Sequence, residues 1–131
     1  MRFLLRFILI LATAYGLQLF LPFWAVALAA FVVGLALSQR RKKRGYGKVP
    51  PPAYAFWAGF LAVGLLWGIK AFMLDRGNES LLSPQIAELI LGKPTSGGPL
   101  IMIGITALLG ALLGGFGAMT GNLLGESIKN R

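Results

Sequence analysis

Gly110, Gly114, Gly115, Gly117, Gly121 and Gly125 fall within one apolar stretch, GALLGGFGAMTGNLLG. Glycine at this density can cradle a phosphate, line a pore or let two helix backbones touch. A phosphate-binding loop needs G-x-x-x-x-G-K-[ST], in which backbone N–H groups and the lysine hold the phosphates together. The Gly-Lys pairs of this chain, Gly47-Lys48 and Gly92-Lys93, lack the rest of that pattern. A dinucleotide fingerprint built on Gly115 and Gly117 would need a third glycine where Thr120 stands, after a strand that the sequence does not offer. What remains is a spacing of four. Gly110 and Gly114 share one helix face, Gly117, Gly121 and Gly125 another, and Ala107, Ala111 and Gly115 a third, because residues four apart stack along a helix. Gly64 and Gly68, with Ala58 and Ala62, supply a matching small face upstream. In lipid such faces let backbones approach and replace the missing hydrophobic drive between helices. Gly64, Gly68, Gly110, Gly114, Gly117, Gly121 and Gly125 are therefore expected to be helix-packing residues, within one chain or between chains. A pore or ligand-facing surface is the alternative.

Other chemistry is sparse. The chain has neither His nor Cys, so sites built on imidazole or thiolate, metal centres and catalytic triads alike, are excluded. No carboxylate falls near the middle of an apolar run, and a carboxylate proton relay is not expected. Lys70 is the intramembrane cation, about one turn from Asp75. Snorkelling to the interface, or pairing with Asp75 or Glu79, accounts for it. Tyr15, Gln18, Thr106, Thr120 and Asn122 are read as satisfied by backbone or across helices, with no special role for Asn122. No enzyme activity, cofactor or metal is expected.

The elements that position these residues follow from composition. The 131 residues are 56% hydrophobic and 13% charged, against about 25% charged in soluble domains; lipid is the expected solvent. The first apolar run, residues 3–38, is too long for one crossing of a ~30 Å hydrocarbon core. Pro22 breaks it, since proline lacks an N–H and clashes with the preceding turn. Two helices, about 3–20 and 23–38, are expected, with one kinked helix as the rival. Ala12-Thr13-Ala14 resembles a signal cleavage site but lies closer to the start than usual, and the uncleaved helix is favoured. The basic segment RRKKRGYGKVPPP cannot enter hydrocarbon and forms a loop over 39–52. A third helix runs over 53–74 behind Tyr54, Phe56 and Trp57. Residues 75–98 form an outer loop with a short amphipathic helix over 84–91, capped by Ser83 with Pro84 at its first position. A fourth helix covers 99–125. The fold class is thus an all-α integral membrane protein of four transmembrane helices, two antiparallel hairpins, plus the outer surface helix.

Orientation follows from counting. Arg2, Arg6, Arg40, Arg41, Lys42, Lys43, Arg44, Lys48, Lys129 and Arg131 fall on the side of both termini, whereas Arg76 and Lys93 fall on the other. Positive residues stay cytoplasmic, so the termini and loop 39–52 are expected inside, in the cytoplasmic membrane. Arg40, Arg41, Lys42, Lys43, Arg44 and Lys48 are candidates for contact with anionic lipid headgroups, at about 1 kcal/mol per cation near the surface. The net charge of +9 does not point to nucleic acid, because the loop cations come without a recognition fold. The short first hairpin, basic loop and glycine-rich last helix resemble the layout of small accessory membrane proteins such as the ATP synthase accessory subunit I. Proteins of that type often carry a Glu in the third helix, where AFWAGFLAVGLLWGIKAF has Lys70, so the resemblance transfers no residue roles. The expected function is a non-enzymatic scaffold or accessory subunit, partnered by another membrane protein or by itself; a small channel or transporter lined by the fourth helix is the alternative.

Overall fold

The computed structural model describes residues 2–38, 52–94, 97–129 and 131. Among these it is all-helical, with α1 Arg2–Gln18, α2 Ala25–Ala36, α3 Pro52–Gly77, α4 Leu82–Leu91 and α5 Gly98–Lys129. α3 and α5, of 26 and 32 residues, are long and apolar enough to cross a membrane. Only 28% and 22% of their most apolar stretches are buried within the chain, so most of that apolar surface faces outward. A core helix of a water-soluble domain would hide it.

α1 and α2 are shorter than expected from sequence, at 17 and 12 residues. The break is not confined to Pro22. Leu19 and Phe20 donate to the Gly16 and Leu17 carbonyls at 3.3 and 3.2 Å, and Ala25 donates to the Pro22 carbonyl at 3.0 Å. These tight bonds draw residues 19–24 into a compact turn and take a helical turn's worth of chain from the pair.

α5 is the centre of the bundle. Its most extensive contact is with α3, followed by α2, while α1 packs on α2 and α3. Successive neighbours fix direction: Gly117, Gly121 and Gly125 lie against Ala27, Phe31 and Leu35, so α5 runs parallel to α2. Gly114 lies against Gly59, and Gly68 against Ala107, so α5 runs antiparallel to α3. The shared core is Ile10, Ala14, Val26, Ala29, Ala30, Val33, Ala58, Ala62, Val63, Leu66 and Ala118. Alanine and valine dominate it, while large residues such as Phe20, Leu100 and Leu74 are exposed at 89%, 76% and 73%. Small residues inside and large ones outside is the arrangement by which helices gain contact when the surroundings are as apolar as the interior.

α4 begins at Leu82, with Leu81 at its N-cap and no side-chain cap bond. The expected cap at Ser83 is not formed: the helix starts one residue earlier, which puts Ser83 inside its first turn, where its hydroxyl donates to Asp75. Pro84 sits inside the first turn, where its missing N–H costs nothing. Gly92 ends the helix at φ 70°, its N–H donating to the Glu88 carbonyl at 2.8 Å. Ala87 is fully buried, whereas Ile86, Leu89 and Ile90 are exposed.

Candidate functional site

Each glycine singled out as a helix-packing residue, apart from the mildest at Gly68, leaves no room for a Cβ without a neighbour moving. A Cβ on Gly114 would stand 2.5 Å from the Gly59 carbonyl oxygen, and one on Gly110 would stand 2.8 Å from the Trp67 ring. On the other face, Cβ atoms on Gly117 and Gly125 would stand 2.7 Å from the Ala27 and Leu35 carbonyl oxygens, and one on Gly121 would collide with that of Phe31. On α3, a Cβ on Gly64 would meet the Ala111 methyl at 2.8 Å and one on Gly68 the Ala107 methyl at 3.3 Å. The first half of the glycine stretch thus serves α3 and the second half α2, all within one chain. Gly34 and Gly59 belong to the same seams, facing the carbonyls of Ala118 and Gly114. Sequence reasoning passed over both. Their signal was present as Ala30, Gly34 and Ser38, and as Ala55, Gly59 and Val63, four apart.

At the end of the bundle that carries Arg2 and Lys129, the seam closes in a polar cluster. Arg6 is buried, and its Nη2 donates to the Leu37 carbonyl at 2.8 Å and to Asn122 Oδ1 at 2.9 Å. Asn122, 2% exposed, donates from Nδ2 to Glu126 Oε1 at 2.8 Å. Lys129 Nζ donates to the Ser38 carbonyl at 2.6 Å. One guanidinium and one amide therefore tie together α1, α2 and α5. The sequence reading expected Asn122 to be satisfied by backbone or across helices and counted Arg6 as an orientation charge; the bond between them runs across helices, from α1 to α5, and gives Arg6 a second task. Asn122 and Glu126 lie four apart beside the glycine row, which is the signal that could have paired them.

At the opposite end, Lys70 donates from Nζ to Gln18 Oε1 at 3.0 Å and lies 5.4 Å from the Tyr15 ring centroid. The expected pairing with Asp75 or Glu79 is not formed. Asp75 accepts hydrogen bonds from Ser80 Oγ at 2.8 Å and from Ser83 Oγ, so its carboxylate fastens the end of α3 to the start of α4. Lys70 lines a cavity of about 470 Å³ with Gln18, Leu21, Phe23, Trp67 and Thr106. Thr106 Oγ1 donates to the Met102 carbonyl at 2.9 Å. The Trp67 indole N–H is buried and has no acceptor among the described residues.

The six loop cations Arg40, Arg41, Lys42, Lys43, Arg44 and Lys48 lie outside the described residues, so their expected lipid contacts have no geometry here. Among the described residues no group of His, Cys, Asp and Glu could hold a metal ion. No protein family, curated protein or solved structure matches the chain.

Proposed function

We propose that this is a multi-pass protein of the cytoplasmic membrane that works without catalysis, as a scaffold or accessory subunit. α3 and α5 supply two crossings. α1 and α2 lie beside them along the same axis, so a bilayer that encloses α3 and α5 also encloses the hairpin, giving four. Their helical parts are about 25 and 18 Å long, and local thinning or the flanking turn makes up the difference. Both termini and loop 39–52 then face the cytoplasm, where the loop cations meet anionic headgroups.

The observation that carries the accessory reading is the filling of the α5 glycine faces by the backbones of α2 and α3. A channel lined by those glycines needs a lumen where the structure has contact. With its interior used for holding itself together, the chain has its perimeter left for interaction. One patch there is more than aliphatic: Phe56 stacks with Trp57, Phe60 and Phe116 at centroid distances of 5.7, 5.6 and 5.4 Å, and Trp57 and Phe116 are 53% and 57% exposed. Rigid aromatics at a protein surface are the residues that most often anchor a partner.

The test is purification in mild detergent, with native mass measurement and identification of co-purifying chains. We expect a stoichiometric membrane partner or a homo-oligomer, lost in the Trp57→Ala, Phe116→Ala double variant while the melting temperature moves by only a few degrees. A monomer that carries ions or solutes across liposomes would replace this reading with the channel.

A further inference from the structure

Lys70 is a cation in an awkward place. It stands about 10 Å from the Gly77 end of α3, at ~1.5 Å per residue, where a bilayer centred on α3 is still losing its polarity. A charge at that depth is costly unless it is paired. Its hydrogen-bond partner, Gln18, and the nearby Tyr15 ring are both neutral. The side chain crosses to α1, where it meets Gln18 at the end of that helix. The carboxylate within a turn or two of it, Asp75, is occupied by Ser80 and Ser83.

The cavity that receives Lys70 has a polar floor and an apolar rim. Lys70 and the Gln18 amide give it donors, and the Thr106 hydroxyl adds a further polar group. Its other walls are Leu21, Phe23, Trp67 and Leu74, and Leu21, Phe23 and Leu74 keep 41%, 67% and 73% of their surface exposed. A small soluble anion would gain nothing from such a rim. A charged headgroup followed by hydrocarbon would satisfy both parts, because ligand sites combine mostly apolar walls with a few polar groups that set orientation. The indole N–H of Trp67, buried and without an acceptor among the described residues, is a second sign of an incomplete environment, since most buried donors find an acceptor.

We propose that the Lys70 cavity binds the anionic headgroup of a lipid, phosphate or carboxylate, with the acyl chain leaving over Leu21, Phe23 and Leu74. The site is separate from the loop cations and lies at the other end of the bundle. The inference rests on the membrane reading above, and its test separates the two.

Trp67 forms part of the wall and is itself the reporter. With Trp24 and Trp57 replaced by Phe, the full chain is placed in vesicles of zwitterionic lipid containing a small fraction of brominated lipid. Brominated anionic phospholipid is expected to quench Trp67 several-fold more than the same fraction of brominated zwitterionic lipid. Lys70→Gln should remove the difference and Lys70→Arg should keep it. Equal quenching by the two lipids would overturn the site while leaving membrane insertion intact. Quenching by neither would overturn insertion and the site together. Millimolar inorganic phosphate should not relieve the quenching; relief would assign the pocket to a free oxyanion and remove the lipid from it.

Discussion

Asn122 is the smallest change by which the bundle can be opened. It accepts from Arg6 and donates to Glu126, and it is one of the four largest side chains that are fully buried. Asn122→Leu keeps the volume close but takes an acceptor from the buried Arg6 guanidinium and a donor from the Glu126 carboxylate. Removing one partner of a buried hydrogen bond costs about 1–3 kcal/mol, more when the group left is charged. We expect a loss of about 2–4 kcal/mol, read as a lower melting temperature in detergent and a lower denaturant midpoint. A leucine variant as stable as the parent would mean that the cluster is bathed in water. At this scale the sequence disclosed the residues and hid their partners. Arg6 and Asn122 stand 116 positions apart, and no spacing rule reaches across the three helices between them. Lys70 is the same case: the near-neighbour pairing with Asp75 that spacing suggests loses to two serine hydroxyls that a turn brings back.

The glycine faces were the most legible element, because a row of four-residue steps is a statement about one helix and needs no knowledge of its neighbours. What the spacing left open was which helix each face meets. That depends on α5 having α2 on one side and α3 on the other, a property of the packing. The helices also hold two kinds of glycine that composition alone cannot tell apart. Gly114 and Gly121 touch backbone, whereas Gly16 and Gly104 have nothing within 4 Å of where a Cβ would stand. Gly114→Ala and Gly121→Ala should each destabilise by about 1–3 kcal/mol or more, since a backbone carbonyl cannot turn aside as a side chain can. Gly16→Ala and Gly104→Ala should stabilise by about 0.5–1 kcal/mol, because glycine in a helix interior costs that much relative to alanine. Melting temperatures of the four single variants decide it. The same sign for all four would mean that glycine content rather than contact governs stability. Helix limits were less legible. Ser83 before Pro84 has the form of a helix start, but the helix begins at Leu82, so Ser83 is already helical and its hydroxyl turns back to donate to Asp75.

The whole molecule poses the question of which way it faces, and its charge distribution gives the direction. Cations collect at the end that bears Arg2 and Lys129 and in the segment between α2 and α3, while Arg76 and Lys93 stand at the other end beside Asp75, Glu79 and Glu88. Burial refines the count. Arg6 is spent on Asn122 and Leu37, and Lys129 on Ser38; they hold the fold as well as the orientation. In the proposed orientation the cations of residues 39–51 are the main external determinant, and they are expected to act during insertion, when a cluster of positive charge is retained on the cytoplasmic side. Two outcomes follow. With single cysteines at Gly45 (G45C) and Asn78 (N78C) in a chain that has none of its own, a membrane-impermeant thiol reagent on intact cells should label Asn78→Cys alone. When Arg40, Arg41, Lys42, Lys43, Arg44 and Lys48 are all replaced by Gln, a fraction of the molecules should invert, and labelling at Gly45→Cys should appear. The two crossings of α3 and α5 alone would put Gly45 and residue 131 on one side, as four crossings do, so a third cysteine at Phe20 (F20C) settles the number. Phe20 is 89% exposed in the turn between α1 and α2. If the hairpin crosses, Phe20→Cys labels from outside together with Asn78→Cys; if α1 and α2 lie on the cytoplasmic face, it stays silent in intact cells and reacts only after permeabilisation.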